Sequence, residues 1–162
     1  YATNESVRSY LQAAPEGGYA SYLEFFLCGL LYCATIEGPA DADRRVLPYN
    51  ALLRRVGTAM AAVGQLYAGL GLETELLTFV FRLSNTDGAS LELPAHPGER
   101  SYTCFIPDVE VIKRRTAADV VSGPAPNAAT VIREICERFG FRSDEHVGLN
   151  QRLEALLRLG PS

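Results

Sequence analysis

Apolar residues recur at steps of three and four between Pro48 and Gly69, where Leu52, Leu53, Val56, Met60, Val63, Leu66 and Tyr67 alternate with polar positions. That period predicts an amphipathic helix, with Arg54 and Arg55 on its wet side. Gly57, Ala59, Ala61, Ala62 and Gly64 would let another backbone approach closely, although each interior glycine costs about 1 kcal/mol of helix propensity relative to Ala. A second stripe, Val131, Ile132, Ile135 and Phe139, predicts a helix from an N-cap at Asn127 to a stop at Gly140, with 122–126 as a break before it. A third helix is expected to start near Ser143, where Asp144 and Glu145 suit the positive end of the helix dipole. It carries Val147, Leu149, Leu153, Leu156, Leu157 and Leu159.

The first part of the chain also reads as helical. Asn4 is a candidate N-cap for a short helix over 4–14, with Val7, Tyr10 and Leu11 at helical spacing before Pro15-Glu16-Gly17-Gly18. Over 19–37, Tyr22, Leu23, Phe25, Phe26, Leu27, Leu30, Leu31 and Ile36 are apolar nearly all round, which predicts a buried central helix. The apolar stretch 22–36 includes Glu24 and falls short of the roughly 20 residues a membrane span needs. Gly38 to Asp43 carries turn formers and charge and reads as a surface connection.

Between the helices the period changes. The run 76–83 is aromatic and branched, Asp87-Gly88 follows, and 89–93 is apolar again, which predicts a β-hairpin turning at Asp87-Gly88. Ser101 to Ile106 reads as a third strand ended by Pro107, Lys113-Arg114-Arg115 as an exposed basic run, and 116–121 as a brief helical turn. The fold class is therefore α+β: one domain over 1–162, with a small antiparallel sheet (a hairpin over about 76–93 plus a strand over about 101–106) packed against four to five helices. The chain opens at Tyr1, as expected of a domain excised from a longer protein or processed from one.

Composition narrows the function classes. Of 162 residues 48% are hydrophobic, enough to offset chain entropy in a folded core. The formal net charge is −4, with Lys113 the only lysine, the wrong balance for a domain that gains affinity by neutralising nucleic-acid phosphates. Cys28, Cys33, Cys104 and Cys136 are scattered, three of them in apolar stretches, and read as small core residues in a soluble, intracellular domain.

No motif singles out a chemistry. Neither CxxC nor a Cys/His set at zinc spacing occurs, and a phosphate-binding loop of the GxxxxGK[ST] type is excluded by the single lysine. GxSxG is missing as well. His96, between Pro94 and Pro97, and His146, beside Asp144 and Glu145, read as polar surface residues. No catalytic, metal or cofactor site is assigned. Arg44, Arg45, Arg54, Arg55, Lys113, Arg114 and Arg115 are the candidate partner-binding set, because guanidinium groups recognise carboxylates in a bidentate way. The expectation is a non-catalytic protein-protein interaction or regulatory domain, whose partner is another protein or a second copy of itself. Its contact surface is the Arg54/Arg55 helix or the hairpin edge. The alternatives are a small enzyme joining Cys104 or a carboxylate with His96 or His146, and a small-ligand carrier around 22–36.

Overall fold

Tyr19–Phe26 holds four aromatic residues in eight, a composition that packs well on a pleated surface. In the computed structural model, which describes residues 6–12, 19–26, 31–37, 46–93, 102–142 and 148–158, this segment is a strand. The chain forms two compact units, Tyr1–Arg44 and Arg45–Ser162. In the first, β1 (Ser6–Gln12), β2 (Tyr19–Phe26) and β3 (Leu31–Glu37) form an antiparallel meander in that order. Tyr10 lies opposite Tyr22 and Tyr22 opposite Ala34. The expected helices over 4–14 and 19–37 are thereby corrected. An apolar run with no polar face suits a strand as well as a helix; aromatic content and Gly29 in mid-segment favour two short strands. The segment 6–12 follows because β2 offers it a ladder along its whole length.

The second unit opens with β4 (Val46–Pro48), which runs straight into α1 (Tyr49–Gly69), and here the helical period is obeyed. Leu52, Leu53, Val56, Met60 and Tyr67 are buried along one side. The small residues serve as expected at two points. A β-carbon at Gly57 would come within 3.3 Å of Leu153 Cδ2, and one at Gly64 within 2.8 Å of Val120 Cγ1, so two later helices sit directly on the α1 backbone.

The strands of this unit are β5 (Leu76–Ser84), β6 (Ser90–Glu92), β7 (Tyr102–Thr103) and β8 (Asp108–Thr116). The expected hairpin is corrected: β5 pairs not with the segment after Gly88 but with β8, antiparallel, from Leu76 opposite Thr116 to Ser84 opposite Asp108. Beyond Ser84 the same two arms continue, through Thr86 N–H to Pro107 O (2.9 Å) and Cys104 N–H to Ala89 O (2.9 Å), into the β6–β7 pair. Five residues on one arm (85–89) face four on the other (104–107), so the first arm carries one extra residue and bends. Asp87-Gly88 makes that bend. Ala89 N–H closes a turn on Thr86 O at 3.0 Å, with Gly88 at φ +73 in the position that requires a positive value. Thr86 is buried there, and its hydroxyl donates to Ile106 O at 2.7 Å. The sheet is not purely antiparallel either, since β4 runs parallel to β6. A parallel neighbour needs a crossover, and α1 lies on that path.

Three helices complete the unit. Thr116 and Asp119 form a reciprocal capping box that starts α2 (Ala117–Ser122). α3 (Pro124–Arg138) begins earlier than the expected Asn127, because Pro124 and Pro126 both fall in the first turn, where an N–H has no helical acceptor to lose. Asn127 is instead a brace: its Nδ2 donates to Asp119 O (3.0 Å) and Gly123 O (2.8 Å), tying α2 to α3. The expected stop at Gly140 holds, with Gly140 N–H on Glu137 O and Phe141 N–H on Cys136 O, a Schellman pattern. α4 (Leu149–Arg158) starts after Gly148, whose φ of +70 cannot lie inside a helix, so the expected start near Ser143 is moved. Residues 143–147 lie outside the described residues.

These elements bury one core, with Leu53, Met60, Val109, Val120, Val131, Ile132, Ile135, Phe139, Leu149 and Leu153 among its fully buried side chains. Each such side chain contributes about 1.5–3 kcal/mol by leaving water. Phe141 closes one side, edge-on to Tyr49 (5.9 Å between centroids) and to Tyr102 (4.9 Å). The whole is an α+β fold with four helices among the described residues, and none of them is long and apolar enough to cross a membrane.

Candidate protein-interaction face

Residues directly opposite in an antiparallel ladder share a face, and the face alternates along each strand. In the β5–β8 ribbon, Leu77, Phe79, Phe81 and Leu83, with Val109, Val111, Lys113 and Arg115, form the inward face. Phe79, Val109 and Val111 are buried in the core cluster, and Leu77, Phe81 and Leu83 pack against it half-buried. The opposite face carries Leu76, Thr78, Val80, Arg82 and Ser84 with Asp108, Glu110, Ile112, Arg114 and Thr116. Its centre is apolar: Val80 and Ile112 are directly opposed and 57% and 53% exposed, and Leu76 is 62% exposed. Phe105, at the bend, is 80% exposed.

Charge frames this centre. Arg82 Nη2 donates to Asp108 Oδ2 at 3.1 Å. That bond, with a second from Ser84, holds the Asp108 carboxyl below its usual range. Arg114 stands exposed on the same face, beyond Ile112 from Glu110.

The two ribbon edges differ. β5 and β8 form a two-stranded sheet, so each has one edge without a strand partner among the described residues. Beside its edge β8 carries Lys113 and Arg115, both turned toward the helices: Lys113 pairs with Glu134, and Arg115 Nε donates to Asn127 Oδ1 at 3.0 Å. Inward-turned charges of this kind discourage strand addition. Leu76–Ser84 has no lysine, proline or bulge, and its single charge, Arg82, faces outward.

The candidate basic residues that are described lie on two elements, α1 and β8. Lys113-Arg114-Arg115 is not an exposed run, because strand alternation turns its first and third members inward and leaves Arg114 in water. Arg54 is exposed on α1, and Arg55 beside it is half-buried and already partnered. Arg44 and Arg45 lie outside the described residues, as do His96 and His146. Val80, Ile112 and Leu76 were not among the sequence candidates. The signal available for them was the alternation Val109, Val111 against Asp108, Glu110 and Ile112, which extends a strand well past Pro107.

Cys104 is fully buried, with Sγ against Ile106 O at 3.6 Å, and no substrate reaches its thiol in this fold. Burial, reinforced by Glu137, pushes the Cys136 thiol up to about 12. Among the described residues no group of three or more His, Cys, Asp or Glu is placed to hold a metal ion. The carrier alternative rested on an apolar helix over 22–36, and that segment runs through β2 and β3. Compared with family models, with curated proteins and with solved structures, the chain matches none.

Proposed function

We propose that this protein is a non-catalytic protein-interaction domain whose contact surface is the β5–β8 ribbon, through its outer face and the open edge of β5. The observation that carries the reading is the Val80–Ile112 pair, more than half exposed on a ribbon whose other face packs against the core. An apolar patch rimmed by charge on a well-packed domain marks a binding surface, and an open strand edge adds main-chain hydrogen bonds to whatever docks there. Val80, Ile112 and Leu76 are the anchors. Arg82, Glu110 and Arg114 form the rim that sets orientation more than affinity.

The test uses the full chain as bait in an extract of the cells that make it, with each captured protein then purified and its affinity measured again in isolation. Val80→Lys is expected to weaken that affinity at least tenfold, while Arg54→Glu on α1 leaves it unchanged. Binding that follows Arg54 and ignores Val80 would move the surface to the helix and end this reading.

A further inference from the structure

The order of side chains along β5 is nearly the same in both directions. Outward from Val80, Leu77-Thr78-Phe79-Val80-Phe81-Arg82-Leu83 gives Phe on either side, then Thr and Arg, then Leu and Leu. We infer that β5 pairs antiparallel with β5 of a second copy of this chain, about a two-fold axis at Val80, joining two ribbons into one four-stranded sheet. The inference rests on the ribbon being the interaction surface and names its occupant.

A symmetric strand pair places each residue opposite its mirror position. On the inward face Phe79 meets Phe81 of the second copy and Leu77 meets Leu83, so every opposed pair is apolar. On the outer face Val80 meets Val80, and Thr78 meets Arg82. The single chain leaves this edge incomplete in two respects. Leu77, Phe81 and Leu83 are only half-buried, and alternate N–H and C=O groups of β5 point away from β8 with no strand among the described residues to receive them. A two-stranded ribbon gains from further strands when it carries an apolar face.

The β8 edge fails the same construction. A two-fold axis at Ile112 would set Lys113 against Val111 and Arg115 against Val109 on the inward face, cations already engaged with Glu134 and Asn127. Of the two edges, β5 alone opposes apolar side chains throughout its inward face.

Sedimentation equilibrium of the full chain over a range of concentrations tests the pairing. The unaltered chain is expected to form a dimer. Val80→Lys, which sets two like charges opposite each other on the axis, should raise the dissociation constant at least tenfold. Thr78 faces Arg82 of the other copy twice per dimer, so Thr78→Lys should weaken the dimer and Thr78→Glu should tighten it. All three changes are at exposed positions, and unchanged circular dichroism separates loss of pairing from loss of folding. A chain that stays monomeric, or a dimer indifferent to Val80→Lys, overturns the inference, as does a dimer that Thr78→Glu weakens, because it is built in another register. A monomer whose captured partner is still lost on Val80→Lys keeps the ribbon as the contact surface with another occupant; a monomer whose partner is also indifferent to Val80 ends both readings.

Discussion

Helix α3 and strand β5 are both rich in apolar residues, yet only one of them is finished. In α3 the apolar positions Ala125, Ala128, Ala129, Val131, Ile132, Ile135 and Cys136 are all buried, and Arg133, Glu134, Glu137 and Arg138 take the remaining face. β5 has Leu77, Phe79, Phe81 and Leu83 on one face but Leu76 and Val80 on the other, and of these only Phe79 is buried. A helix concentrates its apolar residues in one stripe that a single neighbouring layer can cover. A strand with apolar residues on both faces is covered only when two layers enclose it, as strands in fully buried sheets are. Within its own unit, and among the described residues, β5 is given one of those layers, by the helices.

The sharpest way to break this comparison is to remove equivalent side chains from each element and measure urea unfolding. Ile132→Ala empties a fully buried site and should cost about 2–5 kcal/mol. Val80→Ala, more than half exposed, should change the stability of the monomer by less than about 0.5 kcal/mol. Equal costs would mean that the outer face is already packed, and the distinction between the two elements would disappear.

Alkaline pH probes the sealed side alone. The Cys136 thiol is pushed from 9.0 to about 12, chiefly by burial, and the Tyr49 hydroxyl from 10.0 to about 12 by burial and then by Cys136. Both groups hold their protons longer in the folded chain than in the unfolded one. Above pH 9 the unfolded state therefore binds fewer protons, and stability falls as pH rises. The slope from Cys136 is about 1.4 kcal/mol per pH unit up to its folded value, and Tyr49 adds to it above pH 10. Cys136→Ala should flatten the curve between pH 9 and 10 and leave above it only the loss due to Tyr49, itself reduced because Cys136 is one cause of that shift. A wild-type curve already flat over that lower interval would mean that the α3 stripe is open to water.

How much of this could be read from the sequence depends on how far apart the interacting residues lie. The stripe of α1 and the Gly140 stop were legible, because period and capping are local. The class, α+β, followed from the change of period at Leu76. Asp87-Gly88 was misread for an instructive reason: the pair does report a positive φ, but the tight hydrogen-bonded turn it makes bends one arm, while the strand that pairs with β5 lies beyond Pro107. The 19–37 segment was ambiguous in principle, since an apolar run without a polar face fits either period. Lys113-Arg114-Arg115 read as a basic patch only while its strand was unknown; alternation divides it into two inward groups and one outward. The hairpin edge was named as a candidate surface, but which edge of β5 is open depends on its pairing with β8, and an edge is defined by what fails to pair with it.

The smallest expected effect concerns the rim of the outer face. Asp108 is exposed, and its carboxyl is lowered by the hydrogen bonds from Arg82 and Ser84, so its contribution is present above the pKa of the unfolded chain and fades as pH falls through the lower folded value. Asp108→Asn removes that dependence. Water screens the pair, so the melting temperature near neutral pH should scarcely move, while the variant should lose less stability than the unaltered chain on acidification below the usual carboxylate range. The same substitution frees Arg82 from its neighbour on the strand pair, and Arg82 is the group expected to face Thr78 of a second copy. If the two copies pair as inferred, Asp108→Asn should therefore strengthen the effect of Thr78→Glu on the dimer, although stability near neutral pH scarcely changes. An Asp108→Asn variant whose acid limb matches that of the unaltered chain would show that the ion pair does not persist in solution, and that the rim of this face, unlike its apolar centre, is not fixed by the fold.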